Sequence, residues 1–186
     1  RKHPEKRNRP LASGKASPSI ALIICGIFII AGFAIAYFTN SRFLILLSIY
    51  FVLNLAYSFG LKNIPILDIF IIAIGFSLRI RSGGALANVD VTIWMNIMVF
   101  LLALFMAIGK RRDDVLIKLS SGVDMRKVVK GYTIDFLNTM LALVSAVMIV
   151  SYFMFTVSEG VIKRHHTERL YITALFVMAG IMRYLQ

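Results

Sequence analysis

Charged side chains are missing from four long stretches of the chain, residues 16–41, 43–61, 91–109 and 136–158. Each is at or near the ~20 apolar residues that an α-helix needs to cross about 30 Å of hydrocarbon, so each predicts a membrane span. Two further apolar stretches are interrupted. Residues 64–80 carry Asp68 and end beside Arg79, and residues 170–185 carry Arg183; both predict weaker spans, for six in all. No stretch alternates in the manner of a lipid-facing strand. Because backbone in lipid must satisfy its own hydrogen bonds, the pattern predicts an all-α, polytopic transmembrane helix bundle rather than a barrel.

Between residues 110 and 131 the apolar pattern breaks into a basic loop too long for a tight connection. Within it Val115, Leu116, Leu119 and Val123 have rough helical spacing beside Lys118, Arg126, Lys127 and Lys130. Two readings stand open: a short amphipathic helix in the membrane interface, or an ordinary basic loop near anionic headgroups.

Composition sharpens this. The residues are 59% hydrophobic and 16% charged, with a mean hydropathy of +0.79, which excludes a soluble globular protein. Twenty-one Lys and Arg against nine Asp and Glu give +12. In so apolar a chain this excess belongs in membrane-flanking loops, and nucleic acid is not expected as a partner. With residues 1–17 in the cytoplasm, six crossings place fifteen basic residues on that side. Six remain on the other: Arg42, Arg79, Arg81, Lys163, Arg164 and Arg169. The positive-inside rule therefore puts 1–17 and 110–130 in the cytoplasm. Cys25 lies alone in an apolar run, and His3, His165 and His166 have no ligand spacing, so no cysteine or histidine metal site is expected. The first residue is Arg and no apolar signal segment follows it; the chain is expected to be a fragment.

Ionisable groups within a span cost about 2.5–3.5 kcal/mol on insertion scales, which makes Asp68 and Arg79 the first leads. Eleven residues of helix separate them by roughly 16 Å, so they cannot pair. Either each lines a polar cavity, or Asp68 marks the cytoplasmic end of its helix and Arg79 snorkels at the other; spacing favours the second. Tyr50, Asn54 and Tyr57 form a polar stripe descending towards Lys62, and Tyr132, Asp135 and Thr139 form a second one at the start of the fifth span. Both end on the face that carries GKRRDD, residues 109–114. The basic groups of that segment suit a phosphate and its two acids suit a divalent cation. It is not a P-loop, because 104–108 is apolar helix rather than a glycine-rich turn.

The run HPEKRNRPLASG at 3–14 resembles the UbiA superfamily of intramembrane prenyltransferases. Within it the likeness is greater to the decaprenyl-phosphate phosphoribosyltransferase branch, through AYSFGLK at 56–62, LRIRSGG at 78–84, GKRRDD, and Arg183 with Tyr184. The likeness runs over essentially the whole chain, 1–186, as one partial UbiA-like transmembrane domain. It implies a nine-helix bundle with a cytoplasm-facing cavity in the plasma (inner) membrane, of which two leading helices, the main magnesium-binding aspartates and one final helix are absent from this sequence. It implies transfer of 5-phosphoribosyl from phosphoribosyl pyrophosphate to a polyprenyl phosphate, releasing pyrophosphate, with Mg2+, as a step towards arabinose donors for cell-wall polysaccharide. Lys62, Arg111 and Asp114 would be catalytic. Lys6, Arg9, Tyr57, Lys110 and Tyr132 would bind phosphate or ribose, and Asp113 with Asp114 would hold the metal. The second acidic motif of aromatic prenyltransferases is usually DxxxD; the two adjacent acids here depart from it towards the phosphoribosyl branch.

Two alternatives remain: a UbiA-type prenyltransferase moving an isoprenyl group from its diphosphate to an aromatic or other acceptor, and a non-catalytic transporter or scaffold. On the first reading, Ala at Lys62 or Arg111 is expected to lower turnover without unfolding the bundle.

Overall fold

The computed structural model describes residues 13–14, 17–121 and 127–186. Seven α-helices follow one another, α1 Pro18–Thr39, α2 Ser41–Phe59, α3 Leu67–Ala87, α4 Ile93–Ser121, α5 Ile134–Thr156, α6 Glu159–His165 and α7 Ala174–Leu185. Short 3₁₀ turns stand at Leu61–Asn63, Lys127–Gly131 and Arg169–Thr173. Helices α1 to α5 are each long and apolar enough to cross a membrane. They pack in chain order, α2 on α3, α3 on α4 and α4 on α5, while α7 leans on α5. The protein is an integral membrane helix bundle.

Local chemistry sets the helix ends. Ser17 caps α1, its Oγ accepting from the Ile20 N–H ahead of Pro18 in the first turn, where a missing N–H costs nothing. Asn40 makes the whole α1–α2 connection. Its N–H donates to the Ala36 carbonyl, its Oδ1 accepts from Arg42 N–H at 2.8 Å, and its side-chain amide donates to the Ala85 carbonyl on α3 at 3.1 Å. One residue thus ends one helix, starts the next and ties both to a third.

Two expectations change. The segment 110–121 is not a loop, because α4 runs unbroken through it. The helical spacing of Val115, Leu116 and Leu119 was real, but it continues the preceding span; nothing from 110 to 121 is Gly or Pro. At 1.5 Å per residue the 29-residue α4 is about 44 Å long, well over the bilayer core, so its last turns stand outside it. Val123 and Arg126 lie outside the described residues. At the other end of the chain, 170–185 begins in the Arg169–Thr173 3₁₀ turn, and only twelve residues are α-helical. Alone, α7 rises about 18 Å.

The buried core lies between α3, α4 and α5 and continues beneath the Lys127–Gly131 turn, through Val128, Val129 and Tyr132. Ala73, Ala103 and Ala107 stand within it. Small residues matter here because lipid tails are as apolar as Leu, so helices associate through close approach rather than escape from water.

Candidate active site

The cytoplasm-expected end of the bundle is built on an unusual turn ahead of α3. Leu67 N–H donates to the Pro65 carbonyl at 2.8 Å, and Ile66 between them has φ 70° and ψ −52°. That is a γ-turn of the strained kind, at a β-branched residue that the left-handed region disfavours. Such a conformation costs about 1–3 kcal/mol and persists only where its surroundings hold it. Here Ile66 N–H donates to Tyr132 Oη at 2.6 Å. Gly131 lies so close under the Pro65 ring that a Cβ there would overlap it.

Tyr132 Oη in turn donates to Asp68 Oδ1 at 2.6 Å, and Asp68 Oδ2 accepts from Arg111 Nε at 2.6 Å. Arg111 Nη1 then donates to Asp114 Oδ2 at 2.8 Å. Asp68 and Arg111 are 0% and 1% exposed. One chain of hydrogen bonds therefore joins the 65–67 turn, the first turn of α3, the 110–121 extension of α4 and the lead-in to α5. Every member needs the others: a buried charge without its partner is costly, and Asp68 has a partner on each oxygen. Burial first, and then its hydrogen bond to the Asp68 carboxylate, raises the Tyr132 phenol above its ordinary value of 10.0, so it stays a donor at neutral pH.

The expected site residues fall into three groups. Arg111, Asp114 and Tyr132 meet in this cluster, and Tyr57 is close enough to interact electrostatically with Arg111. Lys62 lies beside it on the Leu61–Asn63 turn, which touches the Lys127–Gly131 turn. Both Lys62 and Lys110 are exposed. Asp113 stands apart. Successive helix positions are 100° apart, so Asp114 turns to Arg111 while Asp113 lines a 140 Å³ cavity with Arg112, Leu141 and Tyr184. Lys6 and Arg9 lie outside the described residues.

Other expectations are corrected by the geometry. Asp68 does mark the start of α3, but it is the centre of the cluster rather than a solvated helix end. Arg79 does not snorkel free: its Nε donates to Tyr50 Oη at 2.9 Å and its guanidinium lies over the Tyr50 and Phe76 rings. The second stripe dissolves, since α5 begins at Ile134 after the Thr133 cap, leaving Tyr132 outside the helix and Asp135 and Thr139 exposed. Alanine at Arg111 is no longer expected to leave the bundle unperturbed, because it strands Asp68 without its cation. Asp68 announced itself through its insertion cost; Ile66 and Gly131 gave no signal, because a γ-turn and a close approach depend on the partner chain segment.

No group of three or more acidic, His or Cys residues gathers as a metal cage among the described residues. Mg2+ ordinarily takes one or two carboxylates and completes its shell with water and substrate phosphate. Asp113 is exposed and Asp114 is bound to Arg111, and the two carboxylates stand on different sides of α4.

The model of the UbiA prenyltransferase family matches residues 1–162. The chain belongs to this family. Among curated proteins it is similar to decaprenyl-phosphate phosphoribosyltransferase of Mycolicibacterium smegmatis, with 33% identity over 152 residues, 82% of this chain and 48% of that protein. The enzyme of the same name from Corynebacterium glutamicum is 29% identical over 154 residues, 82% of this chain and 46% of the relative. The chain thus spans about half the length of the relatives it matches. Among solved structures, a UbiA homolog from Archaeoglobus fulgidus bound to DMAPP and Mg2+ superposes with a TM-score of 0.70 at 19% identity, over 95% of this chain and 59% of that one. The UbiA fold thus accounts for the order in which α1 to α5 pack.

Proposed function

We propose that the complete protein transfers 5-phosphoribosyl from phosphoribosyl pyrophosphate to a polyprenyl phosphate, decaprenyl phosphate by analogy, at the cytoplasmic face of the plasma membrane. The likeness to decaprenyl-phosphate phosphoribosyltransferases over 82% of the chain carries this reading. A phosphate oxygen of the lipid attacks the anomeric carbon of the sugar, a new C–O bond forms, and the bond to pyrophosphate breaks with its electron pair leaving on the diphosphate. The nucleophile is already an anion, so no residue need take its proton. The exposed ammonium groups of Lys62 and Lys110, with Lys6 and Arg9, favour the departing diphosphate as its charge grows. Tyr57 offers a hydroxyl to ribose or phosphate. Arg111 has two carboxylates on it and is nearly sealed, so its part is to hold the mouth in shape. Mg2+, when bound at Asp113 or Asp114, would supply charge neutralisation to the diphosphate.

A second reading, prenyl transfer from an isoprenyl diphosphate, is favoured by the solved homologs bound to DMAPP and to GPP. The complete protein in nanodiscs, given Mg2+, polyprenyl phosphate and radiolabelled phosphoribosyl pyrophosphate, is expected to carry label into the organic phase. Label that stays aqueous, with prenyl diphosphate consumed instead, would select the second reading.

A further inference from the structure

The end of the bundle opposite Arg111 carries two cavities of contrasting character that share one wall. A polar cavity of about 730 Å³ lies between the α1–α2 connection and the end of α3, lined by Asn40, Arg42, Arg81 and Asn88. An apolar groove of about 690 Å³ lies between the start of α4 and the α5–α6 region, lined by Trp94, Met95, Met98 and Phe155 with Arg164 at its edge. Val89 and Asp90 border both. Their wall is firmly built. Asn88 closes α3 in the left-handed conformation, Val89 N–H donates to the Gly84 carbonyl at 2.9 Å, and a Cβ on Gly84 would come within 2.8 Å of the Val89 carbonyl.

The charges here are peculiar. Arg79, Arg111, Arg112 and Arg183 each donate to a side chain of the protein. Arg42, Arg81 and Arg164 have no side-chain hydrogen bond or ion pair with any described residue. They are also three of the six basic residues that the charge count leaves on the disfavoured side of the membrane. Three guanidinium groups without a side-chain partner among the described residues, against the single carboxylate of Asp90 in the two linings, make a net-positive rim at the ends of the spans beside an apolar groove.

We propose that these paired cavities hold an anionic phospholipid of the bilayer, its phosphate between Arg42 and Arg81 and an acyl chain in the Trp94–Phe155 groove. Guanidinium is suited to phosphate oxygens because it offers paired, parallel donors. Trp94 and Met98 supply apolar contact for the chain. The inference is independent of which group the opposite end transfers.

Trp94 is the one tryptophan of this sequence and reports from inside the groove. The complete protein, with Trp94 as its sole tryptophan, is placed in vesicles in which phosphatidylglycerol or phosphatidylcholine carries brominated acyl chains that quench on contact. Brominated phosphatidylglycerol is expected to quench Trp94 at a lower mole fraction than brominated phosphatidylcholine. Arg42→Gln and Arg81→Gln should each cut that preference by roughly fivefold, the effect of one basic side chain near an anionic membrane surface. Lys at both positions should keep most of it. Asp90→Asn should strengthen it, a change of sign that misfolding cannot imitate. Equal quenching by the two lipids, or a preference that survives the double Gln variant, would overturn the proposal.

Discussion

Helices α1 and α2 and helices α3 to α5 are all apolar enough to cross a membrane, yet they differ sharply in how much of each the described residues bury. In α1 only Ala36 is buried, and in α2 no residue is, while Leu22 and Phe28 stand 74% and 73% exposed. In α3 to α5 most buried apolar positions join one core, and Asp68 and Arg111 are buried as well. In a membrane, hydrophobicity says that a segment enters the bilayer and almost nothing about which segments pack together, because lipid and protein interior are equally good solvents for Leu. What distinguishes the second region is its costly polar residues, the buried Asp68 and Arg111, since α1 is itself rich in Ala and Gly. The tight interior is where the chain spends buried charge.

The contrast breaks most severely at Asp68 and Arg111. Arg111→Ala leaves a carboxylate buried at 0% exposure without its cation and is expected to cost about 3–5 kcal/mol, measured as SDS-driven unfolding in mixed micelles. Asp68→Ala should cost as much, and the double variant less than the sum of the two; simple additivity would mean that the pair is not coupled. Gly131→Ala comes next. Pro65 cannot swing aside like a flexible side chain, so the added Cβ should cost about 1–3 kcal/mol and loosen the 65–67 turn.

Tyr132→Phe removes the donor to Asp68 and the acceptor for Ile66 N–H together, and should cost about 1–3 kcal/mol. Its pH dependence has a definite sign. A phenol whose folded value is raised above 10.0 contributes stability that is complete below pH 10.0 and is lost as pH rises towards the folded value. The stability gap between wild type and Tyr132→Phe should therefore stay level through neutral pH and narrow above 10.0. A gap that widened there would contradict the hydrogen-bond direction assigned to Tyr132.

Lys62→Ala sharpens the comparison from the functional side. Lys62 is exposed at the rim of the cluster, so stability should change by no more than about 0.5 kcal/mol while the transfer proposed above falls. Turnover that stayed normal would remove Lys62 from the site. Leu22→Ala on α1 should do least of all, with both unfolding and turnover near those of wild type; a large loss would mean that this face of α1 packs on protein rather than lipid.

Membrane insertion and the four uncharged spans were legible in the chain itself, because they depend on local hydropathy; 64–80 proved a full-length span as well, while 170–185, the sixth expected one, holds only the twelve-residue α7. The family likeness was legible too, in runs such as AYSFGLK and GKRRDD. The helical period of 115–119 was visible, yet its continuity with α4 was not, since a basic stretch after a span looks like a loop whether or not its backbone hydrogen bonds continue. The pairing of Asp68 with Arg111 across 43 residues, the phenol of Tyr132 between Asp68 and Ile66, and the parting of Asp113 from Asp114 arose only on folding. Local sequence prices a charge in a membrane, but the partner that makes the charge bearable comes from another helix, and only the packed bundle decides which one.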